Sequence, residues 1–243
     1  MPPATPYFTA GTFKFLRELK RNNNREWFER NKARYEAELK QPCLRFIAEL
    51  AAPLQKISTH YVADPRPMGG SLFRIYRDTR FSKDKTPYKT HAGMTFFHEA
   101  ARKSAHGDAG SAAFGRLDAP VFYLHLEPGQ CFIGGGLWHP QPGTVKLVRS
   151  YMVNNPASWK KATRDTRFRK VFELEGETLA RPPQGYNPEH ELIEDIKRKD
   201  FVATASLDDA AVCAPDFIKT ALRHYALMAP MADWLCGALD LDF

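Results

Sequence analysis

Apolar positions recur every three to four residues over residues 9–57, the spacing of one helical face. Thr9 or Thr12 can cap a first helix whose apolar side is Phe13, Leu16 and Leu19. Asn22-Asn23-Asn24 interrupts it with three residues that favour caps and turns. A second helix carries Trp27, Phe28, Tyr35 and Leu39. Pro42 fits the first turn of a third, which carries Leu44, Ile47, Leu50 and Leu54. The period then changes. Residues 72–76, 93–97, 122–127 and 131–135 are short runs rich in aromatic and branched residues, and they predict strands. Pro128-Gly129-Gln130 predicts a hairpin between the last two, hence an antiparallel sheet. Residues 99–119 lack periodicity and predict an exposed, mobile loop.

Helical spacing then returns. A short helix is expected from about Thr144, and Asn155-Pro156 starts another. Pro188 and Pro215 open two more, with Pro182-Pro183-Gln184-Gly185 as a turn. No repeat and no Ser/Gly linker occurs. The expectation is one α+β domain over residues 1–243, an antiparallel central sheet packed by N-terminal and C-terminal helices.

Composition changes this picture little, and charge changes it more. The chain has 243 residues, 43% hydrophobic and 26% charged, which excludes a disordered chain, a collagen-like fibre and a coiled coil. The net charge of +7 is uneven. Residues 1–180 hold 29 basic and 17 acidic side chains (+12); residues 181–243 hold 6 and 11 (−5). That asymmetry points to a local anion-binding region or to internal complementarity. Cys43, Cys131, Cys213 and Cys236 form no Cys-x-x-Cys pair, so reduced, buried thiols are expected. The first residues lack a secretory pattern, and the apolar stretch 225–239 holds Pro230 and Asp233 and is too short to span a bilayer. A cytoplasmic protein with no membrane contact is the expectation.

The segment from Gly69 to His91 carries the most chemistry. Arg74, Arg77, Arg80, Lys83, Lys85 and Lys89 against Asp78 and Asp84 make it +4. Arginine forks and lysine point charges, interspersed with hydroxyls, suit phosphate or carboxylate. Phe73, Ile75, Tyr76, Phe81 and Tyr88 tie the run to the core, and the two aspartates can orient the arginines. A solvated charge run is the plain alternative. A second candidate is Tyr123-Leu124-His125-Leu126-Glu127. Alternation puts Tyr123, His125 and Glu127 on one strand face, as an acid–base pair or half a metal site, or simply as a water-facing side. Gly134-Gly135-Gly136 lies across the hairpin, leaving room beside that face. A third is Arg181 to Tyr186, with His190 and the Lys197-Arg198-Lys199 run. No Walker loop, dinucleotide fingerprint, His-Glu-x-x-His, Gly-x-Ser-x-Gly or EF-hand loop is present, and no histidine spacing matches a known zinc site. The sequence therefore indicates no metal, names no cofactor, and leaves the oligomeric state open.

These segments also resemble a family. Asn22 to Phe28 with Asn31, Lys32 and Tyr35, the Gly69–Thr90 stretch, Phe122 to Gly129, Gly134 to Trp138 and Arg181 to Tyr186 are similar to successive blocks of the proteins grouped as domain of unknown function 2461. The similarity runs from about Phe8 to Leu239. It implies one compact intracellular domain and supplies no activity, ligand or catalytic residue.

Three functions are consistent with these residues. The first is a pocket for a phosphorylated or other anionic small molecule, with Arg74, Arg77, Arg80, Lys83, Lys85, Lys89 and Tyr186 on the anion. His125, Glu127 or His190 would then carry protons in a hydrolase or transferase. The second is a structural or interaction protein whose basic block pairs with its acidic C-terminal region. The third, less favoured, is a nucleic-acid-binding module, against which the acidic C-terminal part argues.

Overall fold

A computed structural model describes residues 5–80, 82–103 and 118–243. The chain opens with α1 (Ala10–Arg21), where both threonines serve. The Thr9 hydroxyl accepts from Gly11 N–H, and Thr12 Oγ1 accepts from the Thr9 N–H, closing a capping box. α2 (Arg25–Arg30) follows, then α3 (Lys32–Tyr35), which passes through one π turn at Glu36–Lys40 into α4 (Gln41–Leu54). Pro42 lies in the first turn of α4 and has no N–H for the Glu38 carbonyl one turn back. The Thr12 hydroxyl donates to that carbonyl at 2.8 Å. A loosened turn and a docked hydroxyl thus share one cause.

The remaining elements are β1 (Tyr61–Val62), β2 (Ala92–His98), α5 (Glu99–Lys103), β3 (Val121–Leu126), β4 (Cys131–Leu137), α6 (Pro142–Asn154), α7 (Pro156–Arg164), α8 (Thr166–Arg169), β5 (Glu173–Glu175), α9 (Ile193–Ile196), β6 (Phe201–Leu207), α10 (Asp209–Val212) and α11 (Phe217–Ala238). Among the described residues the strands form one sheet in the order β1-β2-β3-β4-β6-β5, antiparallel throughout. The fold is α+β, with helices from both ends of the chain on the sheet. Phe122, Leu124 and Leu126 of β3 are buried. The Tyr225 ring of α11 lies 5.1 Å from Phe122 and 5.7 Å from Phe96. α4 joins the same layer, where Phe46 stacks on Phe217 at 5.6 Å. No helix among the described residues is long and apolar enough to cross a membrane.

Several expectations change. Residues 72–76 are not a strand. They make single bridges, Leu72 to Met94 and Tyr76 to Tyr88, with three residues between on one side and five on the other. The two extra residues bulge and break the ladder. The sequence pattern predicts none of β1, β5 and β6. The middle of Phe201–Leu207 consists of small residues, and it becomes a strand because Thr204 and Ala203 meet Gly134 and Gly135 of β4. Pro188 opens no helix, since α9 begins only at Ile193. Of the loop expected at 99–119, Glu99–Lys103 is helical, and 104–117 lie outside the described residues, as does Phe81.

Candidate functional site

The face of the sheet turned away from α11 carries the polar residues. On β3 the alternation places Tyr123 and His125 there, with Glu127 just beyond the strand end; the hairpin turn follows, closed by Gln130 N–H to the Glu127 carbonyl. Register sets Gly93 opposite His125, and Gly134 opposite Tyr123. A side chain on Gly93 would have its Cβ 2.5 Å from the Tyr123 hydroxyl and 2.9 Å from the Phe73 ring, so glycine makes room for both. The glycine triplet on β4 behaves otherwise than expected. Gly134 is hemmed in by Ala203 and Thr204, Gly135 faces the core beneath Met228, and Gly136 (φ +117°) presses on the Phe201 carbonyl. These glycines serve close packing rather than an open space.

The bulge delivers a residue that sequence spacing missed. Phe73 N–H bonds the Gly93 carbonyl and Lys89 N–H bonds the Ile75 carbonyl, so Thr90, His91 and Ala92 bow out opposite Arg74. His91 arrives with its ring 4.5 Å from that of His125. Ligating atoms of His91, His125 and Glu127 all lie within 4.8 Å of one another. The His125 ring stacks on Phe132 at 4.6 Å. Its Nδ1 meets the Tyr123 hydroxyl at 3.2 Å, and its Nε2 lies 3.4 Å from Glu127 Oε2. Lys20, from the last turn of α1, holds the other carboxylate oxygen at 3.2 Å. The His125 and Glu127 side chains are 13% and 16% exposed, so the group is largely desolvated.

The electrostatics follow from that burial. Desolvation, then the proximity of His125, pushes His91 down to about 4 against the pull of Glu127. Burial lowers His125 as well, partly offset by its bond to Glu127. Burial raises the Glu127 carboxyl, but Lys20 and His125 outweigh it and leave it below the usual range. Tyr123 is pushed up to about 12 by burial and stays a hydroxyl.

The expected anion residues divide into groups. Lys89 is half-buried, its ammonium 5.2 Å from the Phe73 ring centre and lowered by burial and by Arg74. Neither its side chain nor that of Arg74 has a hydrogen-bond or ion-pair partner among the described residues. Arg77 pairs with Asp84 and Thr86, Arg80 pairs with Asp78, and the Lys85 ammonium bonds the Thr79 carbonyl at 2.9 Å. Asp78 and Asp84 therefore do orient the arginines, from within the block. The C-terminal acids pair elsewhere: Arg17 with Asp209, Lys160 with Glu191, Arg164 with Asp195. Lys83 is exposed. A cleft of about 320 Å³ beside the block is lined by Arg25, Glu29, Tyr76, Arg77, Pro87 and Tyr88.

Two expected residues lie apart from this face. Tyr186 packs on the hydrophobic core, near Arg149. His190 takes the Leu192 N–H on its Nδ1 at 3.0 Å and shapes the turn into α9. Within the family-like segments, Asn23 clamps the basic block, donating to the Tyr88 carbonyl at 2.9 Å and accepting the Tyr88 N–H at 3.1 Å. Phe28 stacks on Tyr88 at 4.0 Å.

A family model described as conserved hypothetical protein (DUF2461) matches residues 11–234. No curated protein and no solved structure matches the chain.

Proposed function

The chain belongs to the DUF2461 family of conserved hypothetical proteins, and from its own geometry we propose that it binds an anionic small molecule over the polar face of the sheet. One observation carries this reading. Lys89 is half-buried, has no carboxylate partner among the described residues and is lowered by its surroundings; beside it the exposed Arg74 makes no ion pair, its charge reaching only one carboxylate, Asp78, which Arg80 already holds. Two unpaired positive groups, one of them half-buried, are stabilised by an anion that neutralises both. Phosphate or carboxylate fits the Arg–Lys combination. The His91, His125 and Glu127 group is the reactive end of this site. Phosphate-ester hydrolysis or transfer is the reaction class that suits an anion beside buried imidazoles and a carboxylate. His190, turned to a backbone amide, plays no part.

Thermal unfolding with inorganic phosphate, sulfate, nucleotides and sugar phosphates tests the reading. At about 100-fold above Kd, a bound anion should raise Tm by about 5–10 °C. Lys89→Met and Arg74→Ala should lose most of that rise. If no anion stabilises the protein, or if both variants respond as the wild type does, the reading fails.

A further inference from the structure

The geometry points to a metal centre: we propose that His91, His125 and Glu127 bind one divalent transition-metal ion, with further coordination positions left to substrate or water. The family description assigns no such site, and the strand alternation offers His125 and Glu127 only as half of one, without His91.

Three observations support it. First, the three donors come from different places, a bulge, a strand and a strand end, and still fall within 4.8 Å of one another. Second, His125 Nε2 and Glu127 Oε2 are 3.4 Å apart. That is long for a charge-assisted hydrogen bond, which runs about 2.7–2.9 Å. It matches the edge of a tetrahedron with arms of about 2.0–2.1 Å, about 3.3 Å, the spacing two ligands adopt around zinc. Third, two of the three ligands have an orienting partner. The Tyr123 hydroxyl lies against His125 Nδ1, which directs the Nε2 lone pair toward Glu127, and Lys20 holds Glu127 Oε1 so that Oε2 faces the histidines. Ligating histidines commonly carry such a partner on the other ring nitrogen.

Two imidazoles and one carboxylate favour zinc, iron, cobalt or nickel over calcium or magnesium, which take oxygen ligands. Three protein ligands leave a position open, as catalytic rather than structural sites do. An anion bridging the ion and Lys89 would join this centre to the anion site; that part rests on the proposed function, whereas metal binding does not.

The test uses the full chain, stripped with a chelator and titrated with Zn²⁺ and then Co²⁺, with binding followed by calorimetry and by the visible spectrum of cobalt. One ion per chain is expected. His91→Gln and Glu127→Gln should each weaken binding at least about tenfold, and Tyr123→Phe about tenfold. His190→Ala should change nothing. Circular dichroism confirms that each variant is folded, and Co²⁺ spectra report ligand geometry even where affinity is small. Absence of stoichiometric binding, or affinities unaltered in folded His91→Gln and Glu127→Gln, overturns the proposal. Phosphate titrated into stripped protein separates the two readings. Lys89-dependent phosphate binding without any metal binding overturns the metal centre alone. Metal binding without any anion effect supports the metal centre and overturns the anion site alone.

Discussion

His91 and His125 stand ring to ring in a place with little water, and that single fact governs their chemistry. A histidine in the unfolded chain titrates near about 6.5, whereas burial and His125 hold His91 at about 4. Between these values the unfolded chain binds more protons than the folded one. The stability due to a neutral His91 is therefore fully present above about pH 6.5 and is lost as pH falls toward about 4. In chelator-treated protein, the urea midpoint should drop over this window more steeply for the wild type than for His91→Gln; equal slopes would contradict the assignment. Gly93 is the second sensitive position. Gly93→Ala pushes a methyl group into the Tyr123 hydroxyl and the Phe73 ring. Overpacking of this kind costs about 1–3 kcal/mol, and the His125 resonances should shift with it in an NMR spectrum. At this scale the alternation of Tyr123, His125 and Glu127 was legible, because a strand has a period of two. His91 was not, because its position depends on a bulge whose length no local pattern encodes.

The elements show how much three adjacent residues can do. Asn22 ends α1 by donating to the Glu18 carbonyl, Asn24 caps α2 by accepting the Trp27 N–H, and Asn23 between them pairs with both polar backbone groups of Tyr88. Caps and turns were readable from the residue type; the long-range clamp was not, since it joins positions 65 apart. Asn23→Ala leaves the amide and carbonyl of a buried Tyr88 without partners, at a cost of about 1–3 kcal/mol. The expected outcome is a lower urea midpoint together with faster proteolysis between Arg77 and Lys89. Unchanged proteolysis would mean that the stack of Phe28 on Tyr88 holds the block unaided. The hairpin of β3 and β4 followed from Pro128-Gly129-Gln130, yet β6 followed from nothing local. Its alanines and threonines are strand-forming here because the glycines opposite them admit close approach.

For the whole molecule, charge is the instructive quantity. A chain with net charge +7 invites a nucleic-acid reading. The fold weakens it, because Arg77 and Arg80 are engaged by Asp84 and Asp78, and Arg164 by Asp195. The two pairs within the block are exposed on at least one side and add little stability, about 0–1 kcal/mol each, but all three lower the positive field available to a phosphate backbone. A labelled DNA duplex should show no binding at about 0.15 M salt, where free charges are screened beyond about 8 Å. Binding that persists there, and that Lys89→Met leaves intact, would restore the nucleic-acid reading. The structural alternative also shifts, since the basic block is held by its own aspartates and by Asn23, while the C-terminal acids serve other elements.

The sequence by itself determined the α+β class, the N-terminal helices, the antiparallel hairpin and the family membership, because each rests on periodicities and turn residues that act within a few positions. It also singled out the Gly69–His91 segment and the Tyr123–Glu127 face. Tertiary structure alone decided which cations keep an ion-pair partner, where Tyr186 and His190 end up, and that His91 meets His125 and Glu127. Those outcomes depend on strand register and on an extra pair of residues in one bridge, which are settled by packing between segments distant in the chain.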